Sequence, residues 1–303
     1  MYDLISMGTV AVDLYFKGDS LTFEDDRFQL AIGGKYFADT FYEGLGGGAT
    51  NVAIGAKKQG LHVGLAATIG DNVFRKVISH KLSELQLKHD LCIYQEDYYN
   101  ISAVLVAPTG DRSIINYRSR RQAFYDDEGS MDELLKTRSI YLANLPNFSL
   151  ERKANMLKFF KDHKITTYSN LGVADCRKSF ADIRHFLRSV DVLIINAHEF
   201  SEMVRTPYER IDYSDYVKDT YLGEFENLVL ILTDGKNGSY GYYDGKVHHQ
   251  KAIEPKEVVD ATGAGDAFTA GFIATYNQTR DAAAAMAAGA EYAAKIIGVV
   301  GSN

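Results

Sequence analysis

Val258-Val259-Asp260-Ala261-Thr262-Gly263-Ala264-Gly265-Asp266-Ala267-Phe268-Thr269-Ala270-Gly271-Phe272 runs from small residues through one acid into an apolar series. It reads as a loop feeding a helix whose first turn holds Asp266. Gly263 and Gly265 lack a Cβ, so the backbone takes angles other residues avoid and lets a ligand approach closely. The free N–H groups of Gly263, Ala264, Gly265 and Asp266 then converge on an anion. A nest of donors around one carboxylate suits phosphoryl transfer. The donors stabilise charge on the moving group, and Asp266 accepts the proton of an attacking hydroxyl. A plainer reading is a helix cap at Thr262 or Asp266 and a glycine turn. The full run Asp-x-Thr-Gly-x-Gly-Asp favours the chemistry.

On either side of this run the pattern is that of an α/β core. Downstream, Asp281 begins an alanine-rich helix ending near Gly298, suited to close packing against the helix before it. Upstream, residues 228–233 form a continuous apolar strand typical of a parallel sheet covered on both faces. Thr233-Asp234-Gly235-Lys236-Asn237-Gly238 follows, a glycine turn where nucleotide sites commonly sit, or a simple loop. Ser239–Tyr243 and Lys246–Gln250, joined around Asp244-Gly245, predict an antiparallel hairpin. Strands are expected at 138–142, 165–169 and 190–196, with helices at Leu150–Asp162 and Phe180–Leu187 between them. The strand ending in Ile194-Ile195-Asn196-Ala197-His198-Glu199 sets Asn196 and Glu199 three apart. On a first helical turn both face a metal-bound phosphate through water, or else they form a capping box.

Toward the N-terminus, residues 3–10 read as a buried first strand, with Asp13 at its end as a capping residue or a ligand contact. Residues 17–44 mix charged and aromatic residues without a helical period, an excursion of strands that forms a lid or a long insert. The cluster Leu45-Gly46-Gly47-Gly48-Ala49-Thr50-Asn51 opens a helix that stops at Gly60. Its glycines admit a ligand or another backbone, and Asn51 offers the donor and acceptor that recognition of a polyol requires. A plain turn is the alternative. A strand at 62–70 leads to a helix over roughly 73–87, with Val73, Val77, Leu82 and Leu85 near one face. Residues 101–106 and 113–117 flank Pro108-Thr109-Gly110-Asp111, a hairpin able to pair with the earlier excursion as a small sheet.

Composition excludes several functions. The 303 residues carry a formal charge of −7, and no basic run is long enough to track a nucleic-acid backbone. The first residues, Met1-Tyr2-Asp3-Leu4-Ile5-Ser6, lack the basic and apolar parts of a signal peptide, and nothing approaches a membrane-spanning length. Cys92 and Cys176 lie far apart without ligand spacing, so a reducing cytoplasm is expected. Neither a Walker-type phosphate loop nor the full dinucleotide fingerprint occurs.

Together these motifs resemble the ribokinase, or PfkB, family of carbohydrate kinases over nearly the whole chain. Gly46-Gly47-x-x-x-Asn51 is similar to the family's first signature and Asp260-Ala-Thr-Gly-Ala-Gly-Asp266 to its second. The resemblance implies a single α/β domain over 1–303: a three-layer α/β/α core with a mainly parallel central sheet, and a small β lid from segments near 13–45 and 99–120. It implies ATP- and magnesium-dependent phosphorylation of a primary hydroxyl, with Asp266 as base and Gly263, Ala264 and Gly265 as anion hole. Asp13, Gly46, Gly47 and Asn51 become the sugar contacts. Asn196, Thr233, Gly235 and Gly238 lie on the nucleotide side, and Glu199 meets magnesium through water. Asp260 and Thr262 align with carbonyls that bind potassium in some members. Arg118, in Asn116-Tyr117-Arg118, falls where sugar-acid kinases hold a carboxylate, a task suited to an arginine fork, although surface arginines are the plain alternative. A homodimer through the lid, a nucleoside as acceptor and a silent sugar-binding regulator complete the expectations. The chain departs from the family's common pattern at Phe74-Arg75, where a glycine often follows the aromatic, and at Tyr168-Ser169-Asn170, where many members carry an Asp.

Overall fold

The computed structural model describes residues 1–25, 27–107, 112–125, 127–215, 221–225, 227–255 and 263–298. From the N-terminus the strands and helices are β1 (Leu4–Thr9), β2 (Ala11–Lys17), β3 (Phe23–Glu24), β4 (Arg27–Phe28), β5 (Thr40–Gly46), α1 (Gly48–Lys58), β6 (Val63–Gly70), α2 (Arg75–Glu84) and β7 (Ile93–Gln95). The middle of the chain supplies β8 (Asn100–Val106), β9 (Arg112–Arg118), α3 (Glu128–Asp132), β10 (Ser139–Leu142), α4 (Leu150–Asp162), β11 (Thr166–Ser169), α5 (Val173–Cys176) and α6 (Phe180–Leu187). Then follow β12 (Val192–Asn196), α7 (Ala197–Val204), β13 (Val229–Thr233), β14 (Ser239–Tyr243), β15 (Lys246–Gln250), α8 (Ala264–Thr279) and α9 (Ala282–Ile297).

Runs such as Leu4–Thr9, apolar or small throughout and fully buried, make central strands covered on both faces. Nine strands lie in the order β15-β14-β13-β12-β11-β10-β1-β6-β7. They are parallel from β7 to β13, with β14 and β15 antiparallel at one edge. One face packs on α1, α2, α8 and α9 through residues such as Val52, Leu82, Phe272 and Met286. The other packs on α4, α6 and α7 through Leu157, Phe186 and Phe200. The result is the three-layer α/β/α arrangement. Between α4 and α5 the ammonium of Lys153 is buried against Asp175 Oδ2 at 2.5 Å and also donates to Asn144 Oδ1 at 3.3 Å. Among the described residues no helix is long and apolar enough to cross a membrane.

Only Val10 separates β1 from β2, so a second sheet, β5-β2-β8-β9, grows directly out of the central strand. β2 is antiparallel to β5 and parallel to β8, and β8 forms the expected hairpin with β9. The excursion after Lys17 contributes the short β3–β4 pair and returns as β5 along the full length of β2. The helix expected from residue 73 starts two residues later. Asn72 Oδ1 accepts the Phe74 N–H at 2.9 Å and its carbonyl accepts the Arg75 N–H at 3.0 Å, which holds a turn open. Val73 is therefore 80% exposed in that turn rather than part of a buried face.

Candidate active site

Strand alternation decides which side chains meet. Ala11, Asp13 and Tyr15 on β2, Asn100, Ser102 and Val104 on β8, and Arg112, Ile114, Asn116 and Arg118 on β9 face one way. With Gly47, Gly48 and Asn51 at the start of α1 and Asp266 in α8, they enclose a cavity of about 220 Å³. Register places Asp13 opposite both Ser102 and Gly44, and Ser102 opposite Asn116. The Ser102 hydroxyl hydrogen-bonds to the Asp13 carboxylate. Asp13 also fills the space beside Gly46, where a Cβ would lie 2.1 Å from Oδ2. Gly47 has φ of 96°, and a Cβ there would meet the Thr9 carbonyl at 2.4 Å, so the entry to α1 admits only glycine. Asn51, 7% exposed, donates from Nδ2 to Asp266 Oδ2 at 2.8 Å.

Burial sets the electrostatics here. Loss of solvation pushes the Asp266 carboxyl up to about 6, opposed by the Asn51 hydrogen bond. Asp13 is also raised by burial, with Ser102 opposing. Arg118 Nε donates to Asn100 Oδ1 at 3.2 Å, and Asn100 Nδ2 donates to the Val10 carbonyl at 2.8 Å, which fixes the plane of the guanidinium at the cavity wall.

A second cavity, of about 180 Å³, lies on the other side of the start of α8. Its lining includes Thr233, Gly235, Gly238, Ile253, Ala264, Gly265, Phe268, Ala290, Ala293 and Ile297. Gly238 has φ of 90°, and a Cβ there would fall 2.1 Å from the Gln250 carbonyl. Gly263, with φ of 76°, precedes α8, whose first N–H groups have no partner within the helix. Among the described residues no heavy atom stands within 4 Å of a Cβ built on Gly265. Packing does not demand a glycine there, and its small size leaves the helix start accessible. An apolar slot ending at a helix N-terminus fits a flat base with an anionic chain.

The structure thus brings Asp13, Gly47, Asn51, Arg118 and Asp266 to one cavity, with Gly46 beside Asp13. It brings Thr233, Gly235, Gly238, Ala264 and Gly265 to the other. Consecutive residues, Gly265 and Asp266, join them. Asn196 and Glu199 form the capping box: Glu199 N–H donates to Asn196 Oδ1 at 2.7 Å and Asn196 N–H to Glu199 Oε2 at 3.0 Å. Burial raises the Glu199 carboxyl, the Asn196 N–H opposes this, and the charge of Asp266 adds to it. Glu199 therefore lies within electrostatic reach of Asp266. Asp260 and Thr262 fall outside the described residues. Among those described, no group of three or more histidine, cysteine or acidic side chains is placed to hold a metal. Sequence reasoning passed over Asn100, Ser102 and Arg112, although the alternation Asn100-x-Ser102 on an apolar strand was a usable signal.

A family model described as pfkB family carbohydrate kinase matches residues 3–303. The nucleoside kinase of Methanocaldococcus jannaschii is 23% identical over 282 residues, covering 91% of this chain and 84% of the relative. The 5-dehydro-2-deoxygluconokinase of Lacticaseibacillus casei is 22% identical over 321 residues, covering 100% and 91%. Among solved structures, the ribokinase of Arabidopsis thaliana in complex with ribose and ATP superposes with a TM-score of 0.80 at 20% identity, over 99% of this chain and 94% of that one.

Proposed function

Because the chain belongs to the pfkB family of carbohydrate kinases, we propose that it transfers the γ-phosphoryl group of ATP to the primary hydroxyl of a sugar or sugar acid. The observation that carries this reading is the position of the α8 start: Gly265 lines the apolar cavity and Asp266 lines the polar one. ATP enters the apolar side with its phosphates at the N–H groups of residues 264–266, and the acceptor lies against Asp13, Asn51 and Arg118. The acceptor oxygen attacks the γ-phosphorus, the bond from that phosphorus to the β-phosphate oxygen breaks, and the hydroxyl proton passes to the Asp266 carboxylate. The helix-start donors stabilise the charge spreading over the transferred oxygens.

Glu199 and Asn196 at the start of α7 would be the residues that hold a magnesium ion through water, and the ion would neutralise charge on the phosphates. Asp13 and Asn51 read acceptor hydroxyls, and the fixed Arg118 fork suits a carboxylate. One observation favours a nucleoside acceptor instead. Tyr15, Val104 and Ile114 form an apolar row across the cavity wall, Ile114 is 45% exposed, and Tyr15 stacks on Tyr42 with centroids 4.3 Å apart.

ADP release measured over a panel of pentoses, hexoses, sugar acids and nucleosides separates these readings. A sugar acid turned over best, with Arg118→Ala raising its KM about tenfold or more, supports the first. A nucleoside turned over best supports the second. Binding of sugars without ADP release from any of them removes the kinase reading and leaves a silent sugar-binding protein.

A further inference from the structure

One cluster beside the apolar cavity has no part in the chemistry above. Asp234 follows β13 and leads into the 3-10 turn Gly235–Asn237, and both Gly235 and Gly238 line the cavity. Three backbone bonds close this turn: Asp234 N–H to Gly238 O at 2.7 Å, Asn237 N–H to Asp234 O at 2.9 Å, and Gly238 N–H to Gly235 O at 3.1 Å. The turn is the loop of the β13–β14 hairpin, with Thr233 opposite Ser239, and His249 Nε2 lies 2.8 Å from the Asn237 carbonyl on its β15 side. Toward α7 it is held by a side chain from outside the hairpin. The Tyr208 hydroxyl lies 2.9 Å from both oxygens of the Asp234 carboxylate and donates to one of them at a time. Asn237 Nδ2 donates to Asp234 Oδ2 at 2.9 Å from within the turn.

The same tyrosine reaches the other half of the nucleotide side. Its ring stacks on His198 with centroids 4.5 Å apart and planes 27° apart. His198 stands in the first turn of α7, between the capping partners Asn196 and Glu199. One side chain therefore ties the cavity-lining turn to the helix start that carries Glu199. Folding of the turn alone calls for neither contact.

We propose that Tyr208 is a positioning residue for the nucleotide: through Asp234 and His198 it holds the Gly235–Asn237 turn in register with the start of α7, so that one ATP molecule meets both. The proposal rests on the kinase reading above. Calorimetry with magnesium-ATP on the wild-type chain comes first, and failure to bind overturns both. Given binding, Tyr208→Phe keeps the ring on His198 and removes the hydroxyl. The expected result is a rise of roughly threefold to tenfold in both the dissociation constant and the KM of ATP. At saturating ATP, kcat and the KM of the acceptor stay within about twofold of wild type. Asp234→Ala releases the turn from the opposite partner and is expected to reproduce that rise. In the double variant Tyr208→Phe/His198→Ala, the effects combine to less than their product, because both act through one side chain. ATP affinity unchanged in both Tyr208→Phe and Asp234→Ala, or a change confined to thermal stability, overturns the proposal.

Discussion

Asp266 sets the demands of chemistry against those of folding. Its carboxyl sits at about 6 in the folded chain against an ordinary value of 3.8, mainly because burial disfavours the charged form. A folded value above the unfolded one means that the protonated acid favours folding. That contribution is full below 3.8 and is lost as pH rises through about 6. Asp266→Asn carries no charge and keeps an acceptor for Asn51, so it is expected to be more stable than wild type by about 2 kcal/mol near neutral pH and equally stable at about pH 4. Denaturant titrations at the two pH values check this, and equal stability at both contradicts it. With Asp266 as the proposed base, wild-type kcat/KM is expected to fall as pH drops below about 6, where its carboxylate becomes protonated. A pH–rate profile flat through that region removes Asp266 as the titrating base.

α1 and α8 carry the two partners of this hydrogen bond, and they cross where one of them has no side chain. A Cβ on Gly55 would lie 2.6 Å from Ala270 Cβ and 3.0 Å from the Tyr292 ring. Gly55 is one turn beyond Asn51, and Ala270 one turn beyond Asp266, so this crossing sets how closely the amide approaches the acid. Gly55→Ala is expected to cost about 1–3 kcal/mol of stability through overpacking. It should also lower kcat by lengthening the Asn51–Asp266 bond, while ATP affinity holds. Thermal melts and steady-state kinetics read both effects, and an unchanged kcat contradicts the coupling. At this scale the sequence was informative where a signal is local. Leu150–Asp162, Phe180–Leu187 and the hairpin of Ser239–Tyr243 with Lys246–Gln250 lie at the expected bounds, and Asp266 stands in the first turn of its helix. It was silent where the cause is a partner distant in the chain. Nothing near Gly55 announces Ala270, and nothing near Asp13 announces that Ser102 on β8 will hold its carboxylate. Asn196 and Glu199 spelled a capping box and a metal-side pair at once. The box is formed, and its geometry leaves the second role to experiment.

Across the whole molecule, both cavities lie near the carboxyl ends of central strands, at β1 and β13, where open α/β sheets place their ligands. The small sheet grows from β1 through Val10 to cover the polar cavity, and its far face carries Phe41, Ile115 and Tyr117 at 56%, 63% and 62% exposure. Phe16 and Phe41 already pair there, with centroids 5.4 Å apart. Apolar surface of this kind on a sheet invites a second copy of the chain. Light scattering is expected to give a dimer that Ile115→Lys with Tyr117→Lys reduces to a monomer, and a monomeric wild type rules out the pairing. The claim on which the rest depends is that Asp266 takes the acceptor's proton at the junction of the two cavities. Its most direct test is ATP-dependent turnover by Asp266→Asn beside calorimetry of ATP on the same variant. The account predicts turnover lower by about two to four orders of magnitude with ATP affinity within a few-fold of wild type. Turnover within about tenfold of wild type would contradict it.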